Sequence, residues 1–334
     1  MCVSQTLSRI FLVSLISVGI GLLLTPTLAW AQFDQQNFTG PQREIRLQPA
    51  YPSPGESVTA TLEDYSNTTF GATITWLLDG EVISEASNQR SVQFEATELG
   101  ETQVITVQLN PSQGQSVTLE ETIEPRYLDI ILDPQTRVPP GYRGRALPSL
   151  GSTVNATALL HDGNANYAPA DLVYTWRLNQ QTVIGGGPQR GGNQVSFTMP
   201  WGSDSILSLE VTDRSGTVLA KRSISVPSAE PRITFYEVNS LYGVRGVAVG
   251  ESYTLSGANA ALRAEPYYLS TRVFNNPDVL EWQVDGRQVS PAGTNPYELT
   301  VQRTSAQGGA SLQLHVRDRQ QVLQGAEESI RIQY

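Results

Sequence analysis

The sequence predicts an all-β protein built from three tandem β-sandwich domains, and three observations lead to this fold class. The composition is rich in Val, Ile, Thr and Ser, and its 28 glycines and 20 prolines imply many turns between strands. A tryptophan motif recurs at the spacing of one sandwich domain. After each tryptophan, at a matching distance, a segment alternates apolar and polar residues as a half-buried strand does.

The tryptophan motif reads TWLLDGEV around Trp76, TWRLNQQTV around Trp176 and EWQVDGRQV around Trp282, with spacings of 100 and 106 residues. In each copy an alternating strand runs into a two-residue turn. Asp79-Gly80 and Asp285-Gly286 favour a type I′ turn, since that turn requires positive φ at both central residues. The repetition predicts that Trp76, Trp176 and Trp282 are structural core residues.

The alternating segments have a constant position relative to the tryptophans. They end at Asn110, Asp213 and Asp318, which lie 34, 37 and 36 residues after the preceding tryptophans. This offset predicts that each segment packs against the sheet that contains its tryptophan strand.

Domain boundaries are predicted where proline and charge cluster, at Glu124-Pro125 and Glu230-Pro231. The predicted domains are therefore 42–125, 126–229 and 230–334. Residues 32–41 are polar and lack periodicity, and we expect them to form a flexible leader.

The first 31 residues have the features of a secretory signal peptide. Arg9 gives a positive start, Ile10–Leu24 is an unbroken apolar run, and the small residues Ala29 and Ala31 fit cleavage before Gln32. The sequence therefore predicts an extracytoplasmic protein, secreted or at the cell surface. An uncleaved N-terminal anchor is the alternative, and only that alternative would bring contact with the membrane.

The charge and the cysteine content exclude several classes of partner and site. The formal net charge is −10, so nucleic acid and anionic lipid would repel the chain. Cys2 is the sole cysteine and lies in the predicted signal peptide, so the mature chain has neither a disulfide nor a thiolate nucleophile. No cofactor is predicted.

Two sets of residues carry a resemblance to known families. The W-x-hydrophobic-Asp/Asn-Gly pattern, followed by SLEVTDRSG at Ser208–Gly216, resembles PKD and related immunoglobulin-like domains of bacterial surface proteins. The segments Pro139–Ser152, Asp171–Trp176, Ile233–Val244 and Ala264–Ser270 are similar to a poorly characterised family of exported, repeat-bearing proteins of small-genome bacteria. The resemblance implies an immunoglobulin-like or PKD-like fold and export. The first domain departs from the PKD pattern, since QLNPSQGQ stands where the VTDRSG-like turn is expected.

The sequence contains no recognisable arrangement of catalytic residues, and we predict that the protein is not an enzyme. The two histidines, His161 and His315, fall in different predicted domains, and neither lies near a GxSxG-type serine. The glycines at 185–187 and 191–192 lack the following helix of a phosphate cradle, so a mobile loop between two strands is expected there.

One short motif has the spacing of calcium ligands. Asp162, Asn164 and Asn166 place side-chain oxygens at alternate positions, as a hard cation requires. However, Tyr167 replaces the turn glycine of the EF-hand pattern, and Val173 stands where its bidentate glutamate belongs. The alternative is an Asx-rich loop between two strands, which is the favoured interpretation.

Two segments are candidates for interaction. Trp201 falls in a predicted turn, where its ring would either stack on a ligand or fold back over the edge of the sandwich, and we expect the second. The segment Arg137–Pro148, with Arg137, Tyr142, Arg143 and Arg145, is proline-rich and basic in an acidic protein. It is predicted to be a strap that packs one domain on the next, with a peptide-like docking surface as the alternative.

These features predict a non-enzymatic extracytoplasmic module for structure and protein–protein interaction. As a rod of immunoglobulin-like domains it would space or dock partners at the bacterial envelope, for example at a secretion or pilus assembly. The alternative is an accessory carbohydrate-binding surface protein, whose partner would be a polysaccharide. The identity of the envelope partner does not follow from the sequence.

Overall fold

The computed structural model describes residues 43–65, 71–112, 115–163, 167–180, 182–202, 204–305 and 307–334. The predicted signal peptide and leader lie outside the described residues. The described residues form 23 strands, one short α-helix and two 3₁₀ turns, at Ser84–Ala86 and Pro169–Asp171. The predicted fold class, an all-β chain of tandem sandwiches, is confirmed.

The first sandwich packs one sheet on another around Trp76. Its strands are β1 (Arg43–Gln48), β2 (Ser57–Asp64), β3 (Thr73–Leu78), β4 (Glu81–Val82), β5 (Ser91–Glu95), β6 (Gln103–Asn110) and β7 (Val117–Ile123). The sheets have the orders β1-β2-β5 and β4-β3-β6-β7. Val58 and Ala60 of one sheet and Ile105 and Val107 of the other enclose the tryptophan in one core.

The second sandwich has the same plan around Trp176. Its strands are β8 (Tyr127–Pro134), β9 (Thr153–His161), β10 (Val173–Leu178), β11 (Thr182–Arg190), β12 (Gln194–Thr198), β13 (Asp204–Thr212) and β14 (Val218–Pro227). The sheets have the orders β12-β9-β8 and β11-β10-β13-β14. The core includes Val154 and Phe197 of the first sheet and Leu209 of the second.

The third sandwich is built around Trp282 and contains the short helix. Its elements are β15 (Arg232–Asn239), β16 (Gly243–Ala248), β17 (Ser252–Thr254), β18 (Asn259–Tyr267), α1 (Thr271–Asn275), β19 (Val279–Val284), β20 (Arg287–Val289), β21 (Glu298–Gln302), β22 (Gly309–Arg317) and β23 (Gly325–Gln333). The sheets have the orders β16-β15-β18-β21 and β17-β23-β22-β19-β20. The boundaries at 125/126 and 229/230 stay predictions.

The three tryptophans of the repeat occupy equivalent buried positions. Trp76, Trp176 and Trp282 are at most 2% exposed. Each indole N–H donates a hydrogen bond to a main-chain carbonyl, because a buried polar group needs a partner. The acceptors are Gln89 at 2.9 Å, Gly192 at 2.8 Å and Pro296 at 2.8 Å.

The alternating segments that follow the tryptophans lie in the same sheet as the tryptophan strand, which corrects the expectation that they pack against that sheet. β6, β13 and β22 are antiparallel neighbours of β3, β10 and β19. The ladder places Trp76 opposite Val107, Trp176 opposite Leu209 and Trp282 opposite Leu314. The constant spacing in the sequence therefore reflects a constant strand register.

The turn after each tryptophan strand is fixed by one Asp or Asn residue, which has positive φ and whose side chain accepts a hydrogen bond. Asp79, Asn179 and Asp285 have φ of 51°, 52° and 50°. In each turn the side-chain oxygen accepts the main-chain N–H of the neighbouring strand. The donors are Val104 at 2.8 Å, Ile206 at 2.9 Å and Ser311 at 2.8 Å. Asp and Asn tolerate the left-handed conformation, which explains their presence in all three copies.

We expect Asp285→Ala to destabilise the third sandwich by about 1–2 kcal/mol, because alanine is strained at positive φ. The variant also loses the hydrogen bond from Ser311. Asp285→Asn keeps both the tolerance for positive φ and the acceptor oxygen, so it should unfold at nearly the denaturant concentration of the parent. Equal unfolding midpoints for the alanine and asparagine variants would contradict this account.

The first part of the glycine-rich segment after β10 is a strand with a long bulge, so the expected loop is wrong at residues 185–187, whereas Gly191 and Gly192 do lie between the two strands β11 and β12. β11 pairs with β10 on both sides of residues 185–188, through Ile184 opposite Trp176 and Gln189 opposite Tyr174. Gly185, Gly186 and Gly187 have φ of 75°, 87° and 112°. Glycine alone adopts such values without strain, so the bulge depends on this run.

Candidate functional site

The predicted strap leaves the second sandwich and pairs with the third. Directly after β8, Thr136 forms an antiparallel bridge with Ser270. The Arg137 N–H donates to the Leu269 carbonyl, and the Tyr268 N–H donates to the Arg137 carbonyl, both at 2.7 Å. Main-chain hydrogen bonds thus join the start of the strap, Arg137–Pro148, to the chain that follows β18. These contacts are of the kind that the sequence predicts for this segment, a strap that packs one domain on the next.

A buried glutamine holds the chain just beyond the strap. Gln324, in the loop between β22 and β23, is 0% exposed. Its amide donates to the Ser149 Oγ at 2.9 Å and to the Leu150 carbonyl at 2.6 Å. Its Oε1 accepts the Ser270 N–H at 2.7 Å. One side chain of the third sandwich therefore satisfies three polar groups, two of which belong to the second.

The strap covers the outer face of the sheet β16-β15-β18-β21. Alternation along β18 points Leu262 and Ala264 into the core, and it points Arg263, Glu265 and Tyr267 to the opposite face. Such a face is normally open to solvent in a sandwich. Here Glu265 is 5% and Tyr267 is 7% exposed, because the strap lies over them.

An open groove of about 500 Å³ lies between the strap and this sheet face. We call it the strap groove and define it by the residues that line it. They are Pro139, Pro140, Gly141, Tyr142 and Arg143 of the strap, Tyr236 of β15, Val244, Arg245 and Gly246 of β16, and Arg263, Glu265 and Tyr267 of β18. The strap thus forms one wall and the sheet forms the floor.

A tight turn positions Tyr142 at the edge of the strap groove. The Tyr142 N–H donates to the Pro139 carbonyl at 3.1 Å, with Pro140 and Gly141 as the central residues. Gly141 has φ of 82°, which the third position of a type II turn requires. At Gly144 a Cβ atom would lie 2.6 Å from the Tyr142 ring, so glycine leaves the space that the ring occupies.

Four tyrosines form a hydrogen-bonded cluster in and beside the strap groove. The hydroxyls of Tyr142 and Tyr268 share a hydrogen bond of 2.8 Å, and those of Tyr236 and Tyr267 share one of 2.5 Å. The rings of Tyr142 and Tyr267 meet edge to face at 5.5 Å. Burial, together with the hydrogen bond from Tyr236, raises the pKa of Tyr267. The hydrogen bond with Tyr142 raises the pKa of Tyr268, so both hydroxyls stay neutral donors and acceptors.

The floor of the strap groove carries arginines paired with carboxylates. Arg137 contacts Glu265 at 3.2 Å from the strap side. Arg263 donates from Nε at 3.2 Å and from Nη2 at 2.6 Å to one oxygen of Glu298, its cross-strand neighbour on β21. Burial raises the pKa of Glu265, and the charges of Arg137 and Arg263 oppose that rise. The floor therefore offers fixed donors and acceptors side by side.

The predicted interaction residues separate into two groups. Tyr142 and Arg143 line the strap groove, and Arg137 contacts the lining residue Glu265 from outside the lining. Arg145 is exposed and also lies outside the lining. Trp201, in the turn between β12 and β13, is 81% exposed. The expectation that its ring folds back over the sandwich edge is therefore wrong, since at this turn the ring extends into solvent.

The calcium candidates fall largely outside the described residues, because Asn164 and Asn166 are not described. Asp162 lines a small cavity of about 210 Å³ with Glu101, Glu124 and Arg126. A Cβ atom at Gly163 would lie 2.7 Å from the Leu99 carbonyl oxygen, so this loop approaches the first sandwich closely. Within the described ranges no group of three His, Asp or Glu side chains could hold a metal ion.

A second surface of note is the β15–β16 hairpin. Leu241, Tyr242 and Val247 are 83%, 86% and 78% exposed, and we call these three residues the hairpin patch. At the tip the Asn239 Oδ1 accepts the N–H groups of Leu241 at 2.8 Å and Tyr242 at 3.2 Å, which closes the turn. The hairpin patch therefore presents three large apolar side chains, two of them at a turn that Asn239 closes.

Sequence reasoning missed most of the sheet residues of the strap groove and the whole hairpin patch. Tyr236, Arg263 and Glu265 lie in segments whose alternation could have marked them as outward-facing. No local sequence feature predicts that the strap covers this face, because Arg137 and Glu265 are 128 residues apart in the chain.

Comparison with known proteins gives structural neighbours alone. No protein-family model and no curated protein matches the chain. Three solved structures illustrate the neighbours. The three N-terminal domains of the outer capsid protein Hoc of bacteriophage RB49 are 12% identical, and the match covers 87% of this chain and 98% of that chain with a TM-score of 0.23. Fibronectin(III)-like modules of Clostridium thermocellum CbhA are 9% identical, and the match covers 55% of this chain and 93% of that chain with a TM-score of 0.25. Bacteroides ovatus SGBP-B, in complex with a mixed-linkage heptasaccharide, is 13% identical, and the match covers 86% of this chain and 70% of that chain with a TM-score of 0.22.

Among the residues that the structure describes, no helix has the length and apolar character needed to cross a bilayer.

Proposed function

We propose that this protein is a non-enzymatic interaction module that is exported by its N-terminal signal peptide and docks a protein partner at the cell envelope. The hairpin patch is the observation that carries the proposal. Single exposed apolar residues are common on proteins, but three on one short hairpin, at 78–86% exposure, are typical of a contact surface. A tyrosine in such a surface supplies much contact area at little cost in conformational entropy.

The hydrogen-bonded turn at the hairpin tip supports the same proposal. Asn239 fixes the backbone at Leu241 and Tyr242, so binding would not require that the tip first become ordered. We also propose that the tandem domains act as a spacer, which holds this surface away from the point where the protein is attached to the envelope.

Site-specific photo-crosslinking in the native host tests this proposal. With p-benzoylphenylalanine in place of Tyr242 in the full chain, we expect one crosslinked envelope protein. The matched control places the same group at Val322, which is 81% exposed on a loop of the same sandwich. Crosslinks that are equally strong and equally diverse at both positions would refute docking at the hairpin patch.

Once the partner is identified, Tyr242→Ala should weaken its binding on the order of 30-fold, which corresponds to a loss of about 2 kcal/mol for an aromatic contact residue. Val322→Ala should leave the dissociation constant unchanged. Titration calorimetry with the purified partner measures both.

Carbohydrate binding is the second candidate function, and the strap groove favours it. The groove combines a partly exposed tyrosine ring with paired arginines and carboxylates, as a polar ligand with hydroxyl groups requires.

A further inference from the structure

The strap groove carries a small excess of positive charge in an acidic protein, because Arg137, Arg245 and Arg263 are paired with carboxylates and Arg143, within the part of the chain that the structure describes, is not. Arg143, Arg245 and Arg263 line it together with one glutamate, Glu265, although the whole chain has a net charge of −10. We propose that the strap groove binds an acidic polysaccharide, with a uronate carboxylate on the Arg143 guanidinium and the sugar ring on Tyr142. This inference rests on the second candidate function and does not depend on the hairpin patch.

Arg143 is the cation that is available to a ligand. Arg263 is engaged by Glu298 through two hydrogen bonds, and Arg245 contacts Glu237 at 3.1 Å. Arg143 is exposed and has no hydrogen-bond or ion-pair partner among the described residues. A guanidinium binds a carboxylate through two parallel N–H groups, so a free arginine at the wall of a groove suits a carboxylate ligand.

Tyr142 provides a fixed platform for a sugar ring. Its side chain is held by the edge-to-face contact with Tyr267 and by the hydroxyl contact with Tyr268, and the residue remains 37% exposed. A pyranose ring has one apolar face of C–H groups, and the negative face of an aromatic ring attracts such groups. The turn at Gly141 and the space at Gly144 keep this ring in place before any ligand arrives.

The remaining polar groups favour a sugar over an acidic peptide. Sugar hydroxyls both donate and accept hydrogen bonds, and the groove supplies donors on Arg245 and Arg263 and acceptors on Glu265 and the tyrosine hydroxyls. The side chains of an acidic peptide offer carboxylate acceptors alone, and its donors are main-chain N–H groups.

The edge strand beside the groove also argues against an extended peptide. β16 pairs with β15 at Val244–Val238 and at Ala248–Tyr236, so residues 245–247 bulge opposite Glu237 alone. A bulge interrupts the row of main-chain groups that a new strand would pair with. Strand addition along β16 is therefore disfavoured.

Binding of the full chain to three uronate polymers, namely polygalacturonate, alginate and hyaluronan, tests the proposal by affinity electrophoresis and calorimetry. We expect binding to at least one polymer, and Arg143→Ala or Tyr142→Ala should weaken it at least about tenfold. The matched control is Arg145→Ala, two residues further along the strap and outside the groove lining, which should bind as the parent does. For polygalacturonate, its fully methyl-esterified form keeps the rings and hydroxyls but loses the charge, and it should bind about tenfold more weakly or worse.

Several outcomes would overturn the proposal. These are no binding to any of the three polymers, equal binding of the methyl ester, equal losses for Arg143→Ala and Arg145→Ala, or tighter binding of polyglutamate, which would indicate an acidic peptide ligand. Crosslinking from position 242 reports on the hairpin patch, so each function can fail without the other.

Discussion

Trp176→Ala is expected to destabilise the second sandwich by about 3–5 kcal/mol, the usual cost of removing a large buried aromatic side chain. Trp176 is 2% exposed and packs among Val154, Phe197 and Leu209. The loss is a large part of the roughly 5–15 kcal/mol that stabilises a typical domain. Differential scanning calorimetry of the full chain should show a transition displaced to lower temperature.

The same sandwich offers a control of the same residue type. Trp201 is 81% exposed, so Trp201→Ala should change the free energy of unfolding by no more than about 0.5 kcal/mol. Similar losses for the two variants would mean that tryptophan burial does not organise these cores, and the repeat would lose its physical meaning.

Gln324→Ala is expected to cost about 3 kcal/mol, because it leaves buried polar groups without partners at about 1–3 kcal/mol each. The groups are the Ser149 hydroxyl, the Leu150 carbonyl and the Ser270 N–H. Two belong to the second sandwich, so the variant should also weaken the coupling between the second and third. In calorimetry we expect their transitions to separate.

Gln320→Ala is the matched control, because Gln320 is exposed and its hydrogen bond to Asp318 comes from the main-chain N–H, which alanine keeps. It should unfold as the parent does. A double-mutant cycle of Gln324→Ala with Ser149→Ala would then measure the contact itself, and we expect the two losses to be non-additive. Strict additivity would show that the hydrogen bond does not link the two sandwiches.

The fold was predictable because its signals are local and repeated. Alternation along β6, β13 and β22, and the turns at Asp79, Asn179 and Asp285, each depend on residues a few positions apart. The strap could be predicted from its prolines, which disfavour a place in a central strand.

The candidate site was only partly predictable because it depends on distant contacts. Gln324 is an ordinary polar loop residue in the sequence, and its burial results from the approach of Ser149 and Leu150, about 175 residues earlier. Tyr142 and Arg143 could be predicted as part of the strap. Arg263 and Glu265 on β18 belong to the site only because the strap lies over them. The glycine run at 185–187 misled because positive φ is as typical of a bulge as of a loop.

The strap also determines how the chain can be cut for recombinant work or rearranged by gene fusion. A fragment that begins at the Glu230-Pro231 junction would lack residues 135–150 and would expose Glu265, Tyr267 and Gln324 to water. Such a fragment would carry a newly opened aromatic surface and would be prone to self-association. The second and third sandwiches should therefore be expressed, or transferred to another protein, as one unit.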